Sequence, residues 1–174
     1  MVKKQTKLIE IDNIKFKEAI EIYQLWKNLD AKIKTFYSRG VNIHEAITEI
    51  IVCFVNGFPL SLGGGSEDAI NPKNNFKVQI KATSNFNRDL TSFGPKSKFD
   101  ELHFVRLDYE KDIMFLYNIP INLLGLNVNK NKTFDEVKKE GKRPRFSIIK
   151  DIIIKNNIKE YAKVKLNTAE IIKF

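Results

Sequence analysis

The sequence predicts a single α/β domain with a mixed central sheet flanked by helices, and three observations lead there. Two stretches, "FKEAIEIYQLWKNLDAKIKTFY" and "VNIHEAITEIIVCFVNG", carry apolar residues at helical spacing. Three others, "FKVQIKA", "LHFVRLD" and "DIMFLYNI", alternate or run apolar as strands do. The 174 residues, 43% hydrophobic, suffice for one core and are too few for two independent ones, so residues 1–174 read as one domain. Helices and strands in this order predict helices in front of and behind the sheet.

In the first stretch Ala19, Ile22, Leu25, Trp26 and Leu29 recur at helical spacing, which predicts a helix from about Phe16 to Phe36, stopped at "SRG". The second helix has Asn42 as a candidate N-cap, with Glu45 three positions on completing a capping-box pattern and His44 read as a surface or capping residue, and Gly57 closes it. Ile43, Ile47, Ile50, Ile51 and Phe54 would pack inward. Cys53, the only cysteine, reads as a small buried hydrophobe. With His44 and His103 the only histidines, a thiolate and imidazole zinc site is poorly supplied. "GFPLSLGGGS" is a loop leading into a short strand of about Glu67 to Asn71, and "YEK" turns "LHFVRLD" back into "DIMFLYNI". "KTFDEVKKEG" is a short helix, Ser147 caps another through "IIKDIIIKNN", and "YAKVKLN" is a final strand. No apolar run approaches the ~20 residues of a membrane span and no leader pattern is visible, so a soluble, cytoplasmic protein without a membrane partner is expected.

The formal charge of +9 is unevenly placed. From Lys130 to Phe174 there are thirteen basic residues against six acidic ones, whereas Gly40 to Asp68 holds no Lys or Arg and four acids, Glu45, Glu49, Glu67 and Asp68. Excess positive charge favours a polyanion, nucleic acid being the usual one. Acids facing a polyanion repel it unless a cation lies between, so an acidic island in a basic chain suits a metal-dependent enzyme acting on phosphodiesters.

If "NPKNN" makes the turn, with Pro72 to Asn75 as a four-residue loop, Asn71 pairs with Phe76 and Asp68 falls opposite Gln79. Lys81 lies on the same face, while Val78 and Ile80 face the core and Glu67 points away. Asp68 would then hold a hard cation, and Lys81 would orient or deprotonate a water or pair with the phosphate. Glu45 and Glu49 share a helix face upstream, with Glu45 also a cap.

Asp68, then ten residues, then "QIK" after a core-strand pattern resembles the PD-(D/E)XK nuclease core, the fold of most Type II restriction endonucleases. "KATSNFNRDLTSFGP" and "GKRPRFSI" are similar, more particularly, to a group of small restriction enzymes that cut the interrupted palindrome GCNGC. The resemblance spans about Ser38 to Ile149. It implies a catalytic core over about residues 38–120, with Asp68, Gln79, Lys81, Glu49 and Glu45 as catalytic residues and Asp68, Gln79, Ile80 and Glu49 as the metal set. Gln79 departs from the usual Glu or Asp. The implied cofactor is Mg²⁺, with Mn²⁺ a substitute; the implied partners are double-stranded DNA, a second copy in a homodimer, and a cognate DNA methyltransferase. The rival reading is a non-catalytic or structure-specific nucleic-acid-binding protein on the same scaffold.

Residues suited to DNA follow the site directly. Asn85, Asn87, Arg88 and Asp89 offer base-edge chemistry, with Arg88 suited to guanine and Asp89 to cytosine amino groups; Ser84, Lys96 and Lys98 suit phosphate. Lys142, Arg143 and Arg145 sit beside a proline in the basic segment of about 130–174, and Arg suits bidentate contact with phosphate or guanine. Phe93, Phe99 and Phe104 are expected in the core.

Overall fold

A computed structural model describes residues 7–63, 66–125, 127–129 and 131–174. In chain order the elements are β1 (Leu8–Ile9), α1 (Asn13–Lys34), α2 (Glu45–Asn56), β2 (Leu60–Ser61), β3 (Ala69–Asn71), β4 (Phe76–Thr83), β5 (Thr91–Ser92), β6 (Glu101–Asp108), β7 (Ile113–Ile119), β8 (Asn127–Asn129), β9 (Lys132–Thr133), α3 (Phe134–Lys139), β10 (Arg145–Phe146), a π-type turn of helix (Ile149–Ile154), β11 (Ala162–Lys165) and β12 (Glu170–Lys173).

Eight strands form one sheet in the order β1-β2-β3-β4-β6-β7-β11-β12, and β4 and β6 are its parallel pair. Side chains alternate across it. Val78, Ile80, Val105, Leu107, Met114, Leu116 and Val164 face one core, closed by Phe16, Tyr23 and Trp26 of α1 and Ile47, Ile51 and Cys53 of α2. Leu102, Phe104, Tyr117 and Ile119 face a second, closed by Phe93, Phe134 of α3, Phe146 and the Ile148–Ile153 segment. The expected sheet with helices on both faces is therefore observed, and Phe93 and Phe104 are buried as expected.

The helix termini follow local chemistry. Asp12 accepts the Lys15 N–H at 2.9 Å and starts α1 earlier than Phe16, and the helix ends at Lys34 rather than Phe36. At α2 the cap is His44, whose Nδ1 accepts the Ala46 N–H at 3.2 Å; this corrects the expected Asn42, which lies outside the helix. Gly57 closes α2 at φ 69°, the left-handed conformation that glycine takes without strain. Thr133 and Glu136 form a capping box on α3. Ser147 Oγ accepts the Lys150 N–H at 3.0 Å, as a cap should.

Two strand expectations change. The strand placed at Glu67 to Asn71 begins at Ala69, and β11 is followed by an antiparallel partner, β12, so "YAKVKLN" is not the last strand. No helix of the described residues is long and apolar enough to cross a membrane.

Candidate active site

The hairpin that carries the acids has the register read from its turn. Asn71 pairs with Phe76, Ile70 with Lys77 and Ala69 with Val78. Asn71 Oδ1 accepts the Lys73 N–H at 3.1 Å and Asn75 takes φ 59°, a conformation asparagine tolerates, so "NPKNN" turns by its own side-chain chemistry.

β3 stops at Ala69 while β4 runs on to Thr83, so beyond Val78 one edge of β4 has no strand beside it. Asp68 fills the gap. Its N–H donates to the Val78 carbonyl at 2.8 Å, and its carboxylate takes the place of the missing strand. Oδ2 accepts the Ile80 N–H at 2.6 Å and the side-chain amide of Gln79. Ile80 buries its side chain in the first core, so its main chain alone reaches the cluster. Gln79 is 4% exposed, and its amide nitrogen is turned to Asp68. Presenting its carbonyl oxygen to an ion shared with Asp68 requires the amide to turn over. Glu67 engages elsewhere: Oε2 accepts the Ser66 N–H at 3.0 Å and pairs with Lys77 Nζ at 3.3 Å.

Burial raises the Asp68 carboxyl above its ordinary range, opposed by the Ile80 N–H, the Lys81 charge and the Gln79 amide. Glu49, half-buried on α2, is pushed up to about 7, first by burial and then by the charges of Asp68 and Glu45; Lys81 works against the shift. Glu45 is exposed in the first turn of α2. Asp68, Glu45 and Lys81 are thus the charges that act on Glu49 in a partly desolvated place. Among the described residues no three His, Cys, Asp or Glu side chains stand close enough to cage an ion unaided. Asp68, the Gln79 carbonyl oxygen and Glu49 are donors suited to a hard cation that completes its shell with water or a phosphate oxygen.

A groove of about 510 Å³ opens beside this cluster, lined by Glu45, Lys81, Thr83, Ser84, Thr91 and Arg143 among others. Two loops that are distant in sequence form its wall. β5 pairs with β10, Thr91 to Phe146 and Ser92 to Arg145, and Phe93 N–H donates to the Pro144 carbonyl at 3.1 Å. Asp89 also lines the groove, but its carboxylate is spent on the scaffold: it accepts Thr91 Oγ1 and Ser147 Oγ, both at 2.6 Å, and the N–H groups of Ile148 and Ile149. Four donors from protein thus occupy the oxygens that were expected to meet cytosine amino groups.

The remaining expected DNA contacts are spread more widely. Arg143 and Ser84 reach the groove, and Arg88 is exposed near it. Asn85 and Asn87 are exposed on a tight loop in which Thr83 Oγ1 accepts the Asn85 N–H and donates to the Arg88 carbonyl. Lys96 is exposed; Lys98 lines a different cavity of about 450 Å³ with Lys77 and Lys138. Lys142 pairs with Glu140 at 2.9 Å, and Arg145 lines a third cavity with Lys150 and Lys155.

Sequence reasoning missed Arg106. Its guanidinium donates twice to the Phe86 carbonyl, at 3.0 and 2.7 Å, and lies over the Phe86 ring with its carbon 4.2 Å from the centroid. Phe86 sits between Asn85 and Asn87, so Arg106 fixes the loop that presents them. An arginine alternating with apolar residues in "HFVRLD" was the available signal.

The chain matches the family model described as Bsp6I restriction endonuclease over residues 11–155. It is also 45% identical over 168 residues to the Type II restriction enzyme Bsp6I of Bacillus sp. (strain RFL6), covering 95% of this chain and 96% of that protein. The chain therefore belongs to the Bsp6I family of Type II restriction endonucleases.

Proposed function

We propose that the protein is a Mg²⁺-dependent endonuclease with a PD-(D/E)XK core that cuts both strands of double-stranded DNA at a short palindrome, GCNGC by the resemblance of its loops. The ends would carry 5′-phosphate and 3′-hydroxyl groups. The observation that carries the reading is the meeting of Asp68, Gln79 and Lys81 at the open edge of β4, beside a groove lined by Arg143.

In this reading Asp68, the Gln79 carbonyl oxygen, the Ile80 main chain and Glu49 hold the cation, which when bound supplies Lewis acidity at the phosphoryl group. Mn²⁺ would serve in its place. Lys81 orients or deprotonates the attacking water as the bond from phosphorus to the 3′ oxygen breaks. The Ile80 N–H holds the Asp68 carboxylate in place before DNA arrives, and the Gln79 amide, buried beside it, turns over to present its oxygen. Glu45 adds charge to the cation side of the site. Arg88, Asn85 and Asn87 read bases, and Arg143, with Ser84, Lys96, Lys98, Lys142 and Arg145, meets phosphates. A palindrome suits a two-fold symmetric reader, so the working form is a homodimer. A cognate methyltransferase protects the host's own sites, and the enzyme works in the cytoplasm.

The test is digestion of unmethylated plasmid with and without Mg²⁺, followed by sequencing of the fragment ends. Discrete fragments ending at one short palindrome support the reading. Intact plasmid, with cutting confined to branched or single-stranded DNA, would overturn it.

A further inference from the structure

Helix α1 carries two apolar faces. Phe16, Ala19, Tyr23 and Trp26 face the core, and that orientation is fixed by Trp26 Nε1 donating to the Val41 carbonyl at 2.9 Å and by Lys27 pairing with Asp112 at 2.6 Å. Along a separate flank, Ile22, Leu25 and Leu29 follow one another at three- and four-residue steps and are 48, 69 and 52% exposed. Ile14, also exposed, extends the same line at the start of the helix, and Phe36, exposed as well, follows just past its end. A helix that buries one apolar stripe and leaves a second in water has a face built for a partner.

The charges along the stripe say which partner. Glu18 and Lys32, both exposed, lie seven residues before and after Leu25; Ile14 and Phe36 lie eleven before and after it. The flank is therefore complementary to itself reversed. A two-fold axis at Leu25 sets Glu18 of one copy against Lys32 of the other, about 10 Å along the helix from the axis, and brings Ile22 near Leu29. A parallel pairing would instead oppose Glu18 to Glu18 and Lys32 to Lys32.

We propose that α1 is the homodimer interface, pairing antiparallel with α1 of a second copy about an axis at Leu25. This rests on the reading that two copies act on one palindrome. The Glu18 and Lys32 pairs set the direction, and Ile22, Leu25 and Leu29 supply the buried area.

Sedimentation velocity and plasmid cleavage, run in parallel on the full chain, test it. The wild type sediments as a dimer, Leu25→Glu as a monomer, and Leu25→Cys forms a disulfide-linked dimer on mild oxidation, a reaction closed to the fully buried Cys53. Glu18→Lys and Lys32→Glu each weaken the dimer about tenfold, and the two together restore it. The restored double variant also guards against misfolding as the cause of the single effects. A dimer unaffected by Leu25→Glu, no cross-link at position 25, or a double variant no better than the singles overturns the interface. Cleavage by a chain that sediments as a monomer overturns the interface alone. A dimer cross-linked at position 25 that cuts no duplex supports the interface and overturns the endonuclease reading.

Discussion

Asp68 and Gln79 face each other across the β3–β4 hairpin, joined by the Gln79 amide and one Asp68 oxygen, with the Ile80 N–H on that same oxygen at 2.6 Å. Gln79→Glu replaces a neutral donor with a second carboxylate. A hard cation gains an anionic ligand, and without the cation two like charges meet in a buried place. Half-maximal plasmid cleavage should therefore need less Mg²⁺, while the thermal midpoint in chelator should fall. A higher Mg²⁺ requirement would show that Gln79 does not stand in a ligand position.

Glu49 gives a pH signature. Its carboxyl is pushed from 4.5 to about 7 on folding, so the folded chain holds this proton more tightly than the unfolded chain does. Its contribution to stability is present below pH 4.5 and is lost as pH rises through 7. Glu49→Gln should then melt above the wild type at pH 8 and near it at pH 4.5. Mg²⁺ should narrow the gap at pH 8 if Glu49 helps to hold the ion; thermal scans at the two pH values, with and without Mg²⁺, decide it.

Asp89 ties the loop after β4 to the start of the Ile149–Ile154 helix through four donors. Removing the carboxylate strands the Ile148 and Ile149 N–H groups, a loss of about 3 kcal/mol. Asp89→Ala should lower the thermal midpoint and the cleavage rate together, and a cleavage defect at unchanged stability would return Asp89 to a direct DNA role.

Asp30, 2% exposed, accepts the Val41 N–H at 2.7 Å and pairs with Lys34 at 2.6 Å, which fixes the chain entering α2. A Cβ at Gly40 would overlap that carboxylate. Gly40→Ala should cost about 2 kcal/mol in denaturant unfolding.

Arg143 lines the groove, whereas Lys142 is paired with Glu140. Arg143→Ala should weaken DNA binding and reduce the slope of log affinity against log salt by about one, with Lys142→Ala changing it less. Equal slopes for the two would remove Arg143 from the phosphate path.

How much of this was legible depended on where each residue's partners lie. The hairpin register followed from Asn71 and Asn75 because their bonds close within the turn itself. The α2 start was misplaced because Asn42 and His44 both offer a capping atom, and the choice turned on the imidazole reaching Ala46. Asp89 was read as a free acid because its donors at Ser147, Ile148 and Ile149 are remote in sequence, and no local pattern announces them. β1, β2, β5 and β10 are two residues each, too short to show any alternation. The exposed stripe of α1 was mingled with its core stripe in a single helical periodicity, and their separation needed the burial of each side chain.

The proposed endonuclease function assigns the cleavage to Asp68 and Lys81. Unmethylated plasmid is incubated with Mg²⁺ and the wild type, Asp68→Ala or Lys81→Ala, and duplex binding is measured in Ca²⁺. Discrete cutting by the wild type, lost in both variants while binding persists, is the predicted result. Cutting that survives in either variant, at the same sites, would place the chemistry elsewhere.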